Sequence, residues 1–426
     1  MFKDIVRRKL EKYVTKYLKR HPEVQLIIVV GSVGKTSTKM AIGTVLSQKF
    51  RVRLHEGNHN AELSAPLALL GVEYPEDLRS VGEWMRVFKA ARQRIKQPAD
   101  VDVIVQEVGT DGIGQIPHFG TYAKPHLAVV TAISDEHMEF FKTLDAVATE
   151  ELSAANYSQT ALINRDDIDG KYAALITNPQ FSTYGTSTTA EYSIAQTDYS
   201  LETGIKGQLT TPTINGVETT LHVIGEHSIR AAAAALAVGE KFGMTIEEIQ
   251  RGLDSIRPVA GRMNILRGMN DTTIIDDTYN SSPLAAKSAL QTLYQLPAPQ
   301  RIAILGTMNE LGDVSASGHA EVGALCDPLE LAYVVVVGEE ANKYLAPAAT
   351  QKGCRVIHCR NAIEAGAEVH KLLEKDAILL FKGSQGGMYL EEGIKMVLHA
   401  TEEDHQLVRQ SAKWMETKRA FFDSFQ

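Results

Sequence analysis

The residues with the clearest capacity for chemistry are Gly31-Ser32-Val33-Gly34-Lys35-Thr36-Ser37, which follow the apolar run Leu26-Ile27-Ile28-Val29-Val30 and lead into the helical pattern Lys39-Met40-Ala41-Ile42. A buried strand, a glycine turn and a helix start carrying Lys and Thr make a phosphate cradle. Backbone N–H groups and the positive end of the helix face an anion, Lys35 adds a point charge, and the Thr36 hydroxyl can ligate Mg²⁺. The glycines stand two residues apart where the common phosphate loop has four between them, so the flanking strand and helix supply the context that the short string lacks. The reading is an ATP site made by Gly31, Ser32, Gly34, Lys35, Thr36 and Ser37.

Other polar groups sit where strands end. Val101-Asp102-Val103-Ile104-Val105-Gln106-Glu107 closes on a carboxylate, Leu127-Ala128-Val129-Val130-Thr131 leads to Ser134-Asp135-Glu136-His137, and Val52-Arg53-Leu54 opens onto Glu56-Gly57-Asn58-His59-Asn60. Strands alternating with helices, with polar residues at the strand ends, describe a parallel doubly wound sheet whose ligands bind at that edge. Glu107 and His137 are therefore expected to converge on a magnesium ion at the phosphate loop.

The elements that must hold these groups read as follows. Residues 1–22 form a basic amphipathic helix, suited either to a membrane surface or to packing its apolar stripe on the domain it precedes. Helices are expected over 40–50 and about 80–96. The Thr- and Ser-rich alternation of 180–224, with Asn215-Gly216 as a hairpin turn, suggests an antiparallel meander laid against the sheet. Gly225-Glu226-His227-Ser228 precedes a long Ala-rich helix, and Pro258 and Gly261 mark a boundary. A second strand–helix alternation of about 140 residues follows, with helices near 283–295, 316–326, 362–373 and 387–398. Asp276-Asp277, Gly306 and Lys382-Gly383-Ser384 lie just past its strands. The chain thus divides into an N-terminal helix (1–22), a central ATP-binding domain (23–257), a C-terminal domain (258–400) and a helical tail (401–426).

Composition narrows the partners. A net charge of −8 over 426 residues gives no basic footprint for nucleic acid, and the three cysteines lack metal-ligand spacing, so a reducing cytoplasm is expected. No stretch approaches a membrane span, and no signal peptide is visible.

Together the motifs resemble the Mur ligase family of ATP-dependent amide-bond ligases. The strings that carry the resemblance are the phosphate loop, Glu56-Gly57-Asn58-His59-Asn60, Glu107-Val108-Gly109, Asp135-Glu136-His137-Met138-Glu139, Gly225-Glu226-His227, Gly261-Arg262-Met263, Asp276-Asp277-Thr278-Tyr279-Asn280, Leu305-Gly306-Thr307-Met308-Asn309-Glu310-Leu311-Gly312 and Lys382-Gly383-Ser384. The Asp-Asp-Thr-Tyr-Asn and Met-Asn-Glu-Leu-Gly strings resemble the branch that adds D-Ala-D-Ala to UDP-N-acetylmuramoyl-tripeptide in peptidoglycan precursor synthesis. The resemblance implies an α/β chain, a P-loop parallel-sheet ATPase domain followed by a smaller Rossmann-like ligase domain, using ATP and Mg²⁺. It implies that a substrate carboxylate is phosphorylated and an amine then displaces phosphate. Lys35 would hold the transferring phosphate, Thr36 and Glu107 one metal ion, and His137 a second. Arg262, Asp277 and Asn280 would reach the nucleotide from the other domain, and Asn58, Asn60, Lys382 and Ser384 would contact the acceptor.

The departures from the family matter too. Only about 25 residues precede the phosphate loop, where the family has a UDP-binding domain, so another protein or another acceptor is one expectation. The family's carbamylated lysine falls near Thr149-Glu150-Glu151, and either Glu150 or Glu151 could supply a metal-bridging carboxylate directly. Gln385 stands where the branch has Arg, Ser281-Ser282 where Ala-Asn is usual, and His227-Ser228 where the adenine-side His-Asn is usual. Three functions stay open at this point: a D-Ala-D-Ala-adding ligase, a Mur-like ligase with another carboxylate acceptor such as a lipid-linked muropeptide or a polyglutamate-type chain, and a non-catalytic nucleotide-binding subunit.

Overall fold

A computed structural model describes residues 2–55 and 63–425. Among them, the N-terminal part builds one sheet from β1 (Gln25–Val30), β2 (Val52–Leu54), β3 (Val103–Glu107), β4 (Leu127–Val130), β5 (Thr160–Asn164), β6 (Phe181–Gly185), β7 (Tyr192–Ser200), β8 (Gly204–Thr210) and β9 (Asn215–Leu221). The spatial order is β2-β3-β1-β4-β5-β6-β7-β8-β9. Strands pair in parallel through β7, then antiparallel across β8 and β9.

Helices cover both faces. They are α1 (Phe2–Arg20), α2 (Lys35–Leu46), α3 (Ser64–Leu70), α4 (Val81–Lys96), α5 (Gln115–Tyr122), the single turn α6 (Met138–Phe141), α7 (Leu144–Tyr157), α8 (Glu226–Lys241) and α9 (Ile246–Asp254). The run of β1 is apolar at every position from Leu26 to Val30 because both of its faces are buried. Leu26, Ile28 and Val30 meet α1, α3, α4, α5 and α7, whereas Ile27 and Val29 meet α2, α8 and α9. On α1 the buried stripe Val6, Leu10, Tyr13, Val14 and Tyr17 recurs at helical spacing and packs on α3 and α4. That stripe is therefore committed to the core, and packing prevails over the membrane-surface reading. No helix of the described residues is long and apolar enough to cross a membrane.

The second sheet contains β10 (Asn264–Arg267), β11 (Thr273–Asp277), β12 (Arg301–Gly306), β13 (Tyr333–Val337), β14 (Val356–Cys359) and β15 (Ile378–Lys382), in the order β10-β11-β15-β12-β13-β14. All pairs are parallel except β10 with β11. One face carries α10 (Pro283–Gln295), α11 (Ser315–Leu325) and α12 (Ala346–Gln351), and the other α13 (Ala362–Leu372) and α14 (Glu391–Ile394). The last helix, α15 (Ala412–Asp423), packs beside α14 through the ion pair of Lys418 with Glu392.

Three local expectations change. The 180–224 strands extend the first sheet at its edge instead of lying against it, because β6 and β7 pair in parallel and pass the ladder on to β8. The β8–β9 turn sits earlier than Asn215-Gly216: Thr211 N–H donates to Ile214 O at 2.8 Å, and the register shifts beside Thr210. The helix expected over 387–398 shrinks to Glu391–Ile394, since Gly387 and Tyr389 hold positive φ of 69° and 46°.

Candidate active site

The carboxyl ends of β1, β3 and β4 lie side by side, with Val29 paired to Glu107 and Val30 to Val130. The turn after β1 has little room: Gly31 has φ +123°, and a Cβ there would stand 2.3 Å from Thr131 Oγ1 and 2.8 Å from Ala132 N. Only glycine fits. Thr131 donates its hydroxyl to Val33 O at 2.6 Å, and Ser32 Oγ accepts from Ser134 N–H at 3.0 Å, so β4 and the segment after it brace the loop. Gly34, with φ +86°, then opens α2, whose first turn has no side-chain cap among the described residues. Its first-turn N–H groups give the anion-binding end expected of such a loop.

Charge converges here. Lys35 Nζ donates to Gly31 O and to Ser32 O and lies 3.3 Å from Glu136 Oε2. Burial alone would lower its pKa, but the carboxylates of Glu136, Glu151 and Glu107 outweigh that and raise it, so Lys35 is firmly a cation. Thr36 donates its hydroxyl to Glu107 Oε2 at 2.9 Å and accepts from Arg262 NH2 at 3.0 Å. Arg262 comes from the second domain, so this one hydroxyl joins the two halves of the chain. One helical turn after Lys35, the buried Lys39 lies 3.5 Å from Glu107 Oε2 and donates to His55 O. Sequence reasoning passed over Lys39, although its i+4 spacing from Lys35 on α2 was the available signal.

The other named residues fall in different roles. Ser37, Asp277, Asn280 and Lys382 line a cleft of about 1060 Å³ between the domains. Asp277 Oδ2 lies 2.8 Å from Lys382 Nζ, which also donates to Asn280 O at 2.7 Å. Ser384 is 1% exposed, and its hydroxyl accepts from Asn309 N–H at 2.8 Å. Lys382 and Ser384 thus act first as struts under the 277–281 loop; Ser384, named for acceptor contact, has no surface to offer one. His137 adopts left-handed backbone, φ 52°, and its Nδ1 lies 2.7 Å from Glu310 Oε2 of the second domain, at ion-pair distance but without hydrogen-bond alignment. Burial would lower the His137 pKa, but Glu310 and Glu136 raise it. His227 lines the same cleft, and burial pushes its pKa down to about 4, leaving a neutral imidazole near Arg230. Asn58 and Asn60 lie outside the described residues.

Glu150 and Glu151 separate cleanly. Glu150 accepts from Gly114 N–H and Ile116 N–H, each at 2.7 Å, capping the start of α5 and so turned from the phosphate loop. Its placement corrects the assignment of Glu150 as a metal ligand. Glu151 is the acid at the loop: Oε2 accepts from Gly31 N–H at 2.7 Å, and burial, offset by Lys35 and reinforced by Glu136, raises its pKa to about 7.

Among the described residues, no three His, Cys, Asp or Glu side chains converge as a metal cage. The donors Thr36 and Glu107 fit an ion that takes its remaining ligands from phosphate and water, as Mg²⁺ does.

Two family models cover this arrangement. The Mur ligase middle domain matches residues 29–239, and the Mur ligase glutamate ligase domain matches residues 261–385. The chain belongs to the Mur ligase family. The chain is 29% identical over 386 residues to the UDP-N-acetylmuramoyl-tripeptide--D-alanyl-D-alanine ligase of Bacillus subtilis strain 168, covering 88% of this chain and 76% of that one. To the Escherichia coli K12 ligase of the same name it is 25% identical over 330 residues, covering 76% and 67%. In fold it matches the crystal structure of the MurF ligase from Thermotoga maritima in complex with ADP, with a TM-score of 0.76 at 23% identity over 93% of this chain and 84% of that one. As a Mur ligase, the chain carries its nucleotide loop in the middle domain and Arg262 and Asp277 in the domain that follows.

Proposed function

We propose that the chain is an ATP-dependent ligase that joins D-alanyl-D-alanine to the terminal carboxylate of a UDP-N-acetylmuramoyl-tripeptide in peptidoglycan precursor synthesis. The observation that carries this is the Thr36 hydroxyl, held between Glu107 of one domain and Arg262 of the other. Its substrates are small-molecule precursors, and its cofactors are ATP and Mg²⁺. The phosphoryl group passes from ATP to the acceptor carboxylate; the dipeptide amine then attacks the acyl carbon, and phosphate leaves with the C–O bond. The amine proton passes to solvent or to a carboxylate of the cleft.

Such a sequence calls for positioning and charge neutralisation more than for a strong acid or base. Lys35 and the α2 amides would hold the transferring phosphate, and Thr36 with Glu107 would hold Mg²⁺, which would supply neutralisation of the phosphate charge. Arg262 adds a donor only when the domains are together, and further closing of the cleft on bound substrates would keep water from the acyl phosphate. The relatives' names support the acceptor and the dipeptide, and the ligands named for them make the cytoplasm the fitting compartment. A ligase with another carboxylate acceptor is the second reading, favoured by Gln385 on the cleft wall where the branch has Arg. No observation supports a partner protein that supplies a UDP-binding function. Phosphate release that requires both the UDP-tripeptide and the dipeptide tests the proposal; release with neither dependence counts against it.

A further inference from the structure

Behind the cleft, outside the matched family region, lies a charge cluster that none of the chemistry above uses. Glu391 of α14 is fully buried. Arg409 meets it as a fork, Nε to Oε1 at 2.8 Å and NH2 to Oε2 at 2.6 Å, and Lys418 Nζ lies 2.9 Å from Oε1. The same guanidinium donates from NH1 to Tyr279 O at 3.1 Å and from NH2 to Thr278 O at 2.8 Å. One side chain therefore ties the tail to the loop that carries Asp277 and Asn280.

The tie continues to the hinge between the domains. Tyr279 N–H donates to Gly261 O at 3.0 Å, and Asp276 Oδ2 accepts from Gly261 N–H at 3.0 Å. Gly261 has φ +68°, and a Cβ there would stand 2.8 Å from Val408 Cγ1, so the residue preceding Arg409 is seated on the hinge glycine. The Tyr279 ring lies 4.3 Å from the Arg262 guanidinium and 5.8 Å from that of Arg409. A continuous packed line runs from Arg409 through Tyr279 to Arg262, and from there to Thr36 on the phosphate loop.

We propose that Arg409 is a positioning residue of the ligase reaction, a clamp by which the C-terminal tail fixes Tyr279 and so aims Arg262 and Asp277 at the nucleotide. The proposal rests on the nucleotide reading of the cleft. Four bonds from one planar fork are beyond a lysine, whose ammonium carries only three N–H donors, all on one nitrogen. Lys418 is the natural control: among the described residues its ammonium pairs with Glu391 and Glu392 and makes no hydrogen bond to the 277–281 loop.

The test uses the full chain and reads ADP affinity by calorimetry, kcat and KM for ATP, and Tm. Arg409→Lys is expected to weaken ADP binding and lower kcat/KM for ATP by about tenfold or more, the scale of a small misplacement. Lys418→Met is expected to lower Tm while ADP affinity and kcat/KM hold. Wild-type values in Arg409→Lys, or an equal loss in Lys418→Met, would overturn the clamp. If Arg409→Lys does not fold, Val408→Ala reads the same hinge without stranding a charge: weaker ADP binding supports the clamp, and unchanged binding overturns it. A wild-type chain that binds no ADP would overturn the nucleotide reading itself, and the clamp with it.

Discussion

Arg262 and Thr36 stand 226 residues apart in sequence, in different domains, and share a hydrogen bond of 3.0 Å. Because Thr36 also donates to Glu107, the guanidinium sits where phosphate, metal and acid would meet. The chemistry of the cleft is thus assembled only when both domains contribute.

Replacing Arg262 separates closure from folding. Its side chain contacts Thr36 and the Tyr279 face and little of the core, so Arg262→Lys is expected to keep Tm near wild type while kcat falls about 10²-fold, the usual loss for one transition-state donor. Steady-state phosphate release with a thermal melt checks it. Unchanged kcat would mean the contact is incidental.

Gly31→Ala tests the loop's shape. The added methyl would press on Thr131 Oγ1 in a backbone region that alanine rarely adopts. A loss of about 1–3 kcal/mol in stability is expected, with ATP affinity reduced as the loop is displaced. Urea melts and nucleotide titration read the two effects.

The paired acids on α7 should behave differently. Glu150→Gln removes a charged acceptor from the two N–H groups at the start of α5 and is expected to cost about 1–2 kcal/mol of stability, with turnover within about twofold of wild type. Glu151→Gln is expected to lower kcat about tenfold or more, since Glu151 sets the charge around Gly31 and Lys35. Comparing melts and kcat for the two variants distinguishes them; the reverse pattern would contradict the placement.

Stability should also carry the titration of Glu151. Its pKa is raised from 4.5 to about 7. Below pH 4.5 the carboxyl is protonated in both states, and its contribution is fully present. As pH rises, the unfolded chain releases its proton first, so the contribution declines and is lost through about pH 7. In metal-free, nucleotide-free buffer, the stability of Glu151→Gln relative to wild type is therefore expected to improve by about 3 kcal/mol between pH 4 and 8. A pH-independent difference would place Glu151 in a solvated setting.

Much of this architecture was legible because its signals are local. The phosphate loop declares itself through an apolar strand, two glycines and a helix start, and Glu107 through its place at the end of a strand that opens on the apolar run Val103-Ile104-Val105. What stayed hidden depends on packing. Glu150 and Glu151 are adjacent on a helix and diverge by about 100°, so only the position of α5 decides which of them meets the loop. Lys382 and Ser384 look like free polar residues past a strand, yet the 277–281 loop folds over them. The strands over 192–221 show alternation, which reveals a sheet but not whether it joins one already present. Arg409 lies in a charged tail with no motif, and the loop carbonyls it holds, those of Tyr279 and Thr278, lie 130 and 131 residues earlier in the chain.

The most direct measurement of the central claim is the mass of the product formed by the purified chain with Mg²⁺, ATP, UDP-N-acetylmuramoyl-tripeptide and D-Ala-D-Ala, alongside Lys35→Ala. The account predicts one new species, the tripeptide acceptor extended by D-Ala-D-Ala as an amide, appearing with one phosphate per bond in wild type and absent in the variant. ATP bound without that product, or product formed equally by Lys35→Ala, would contradict it.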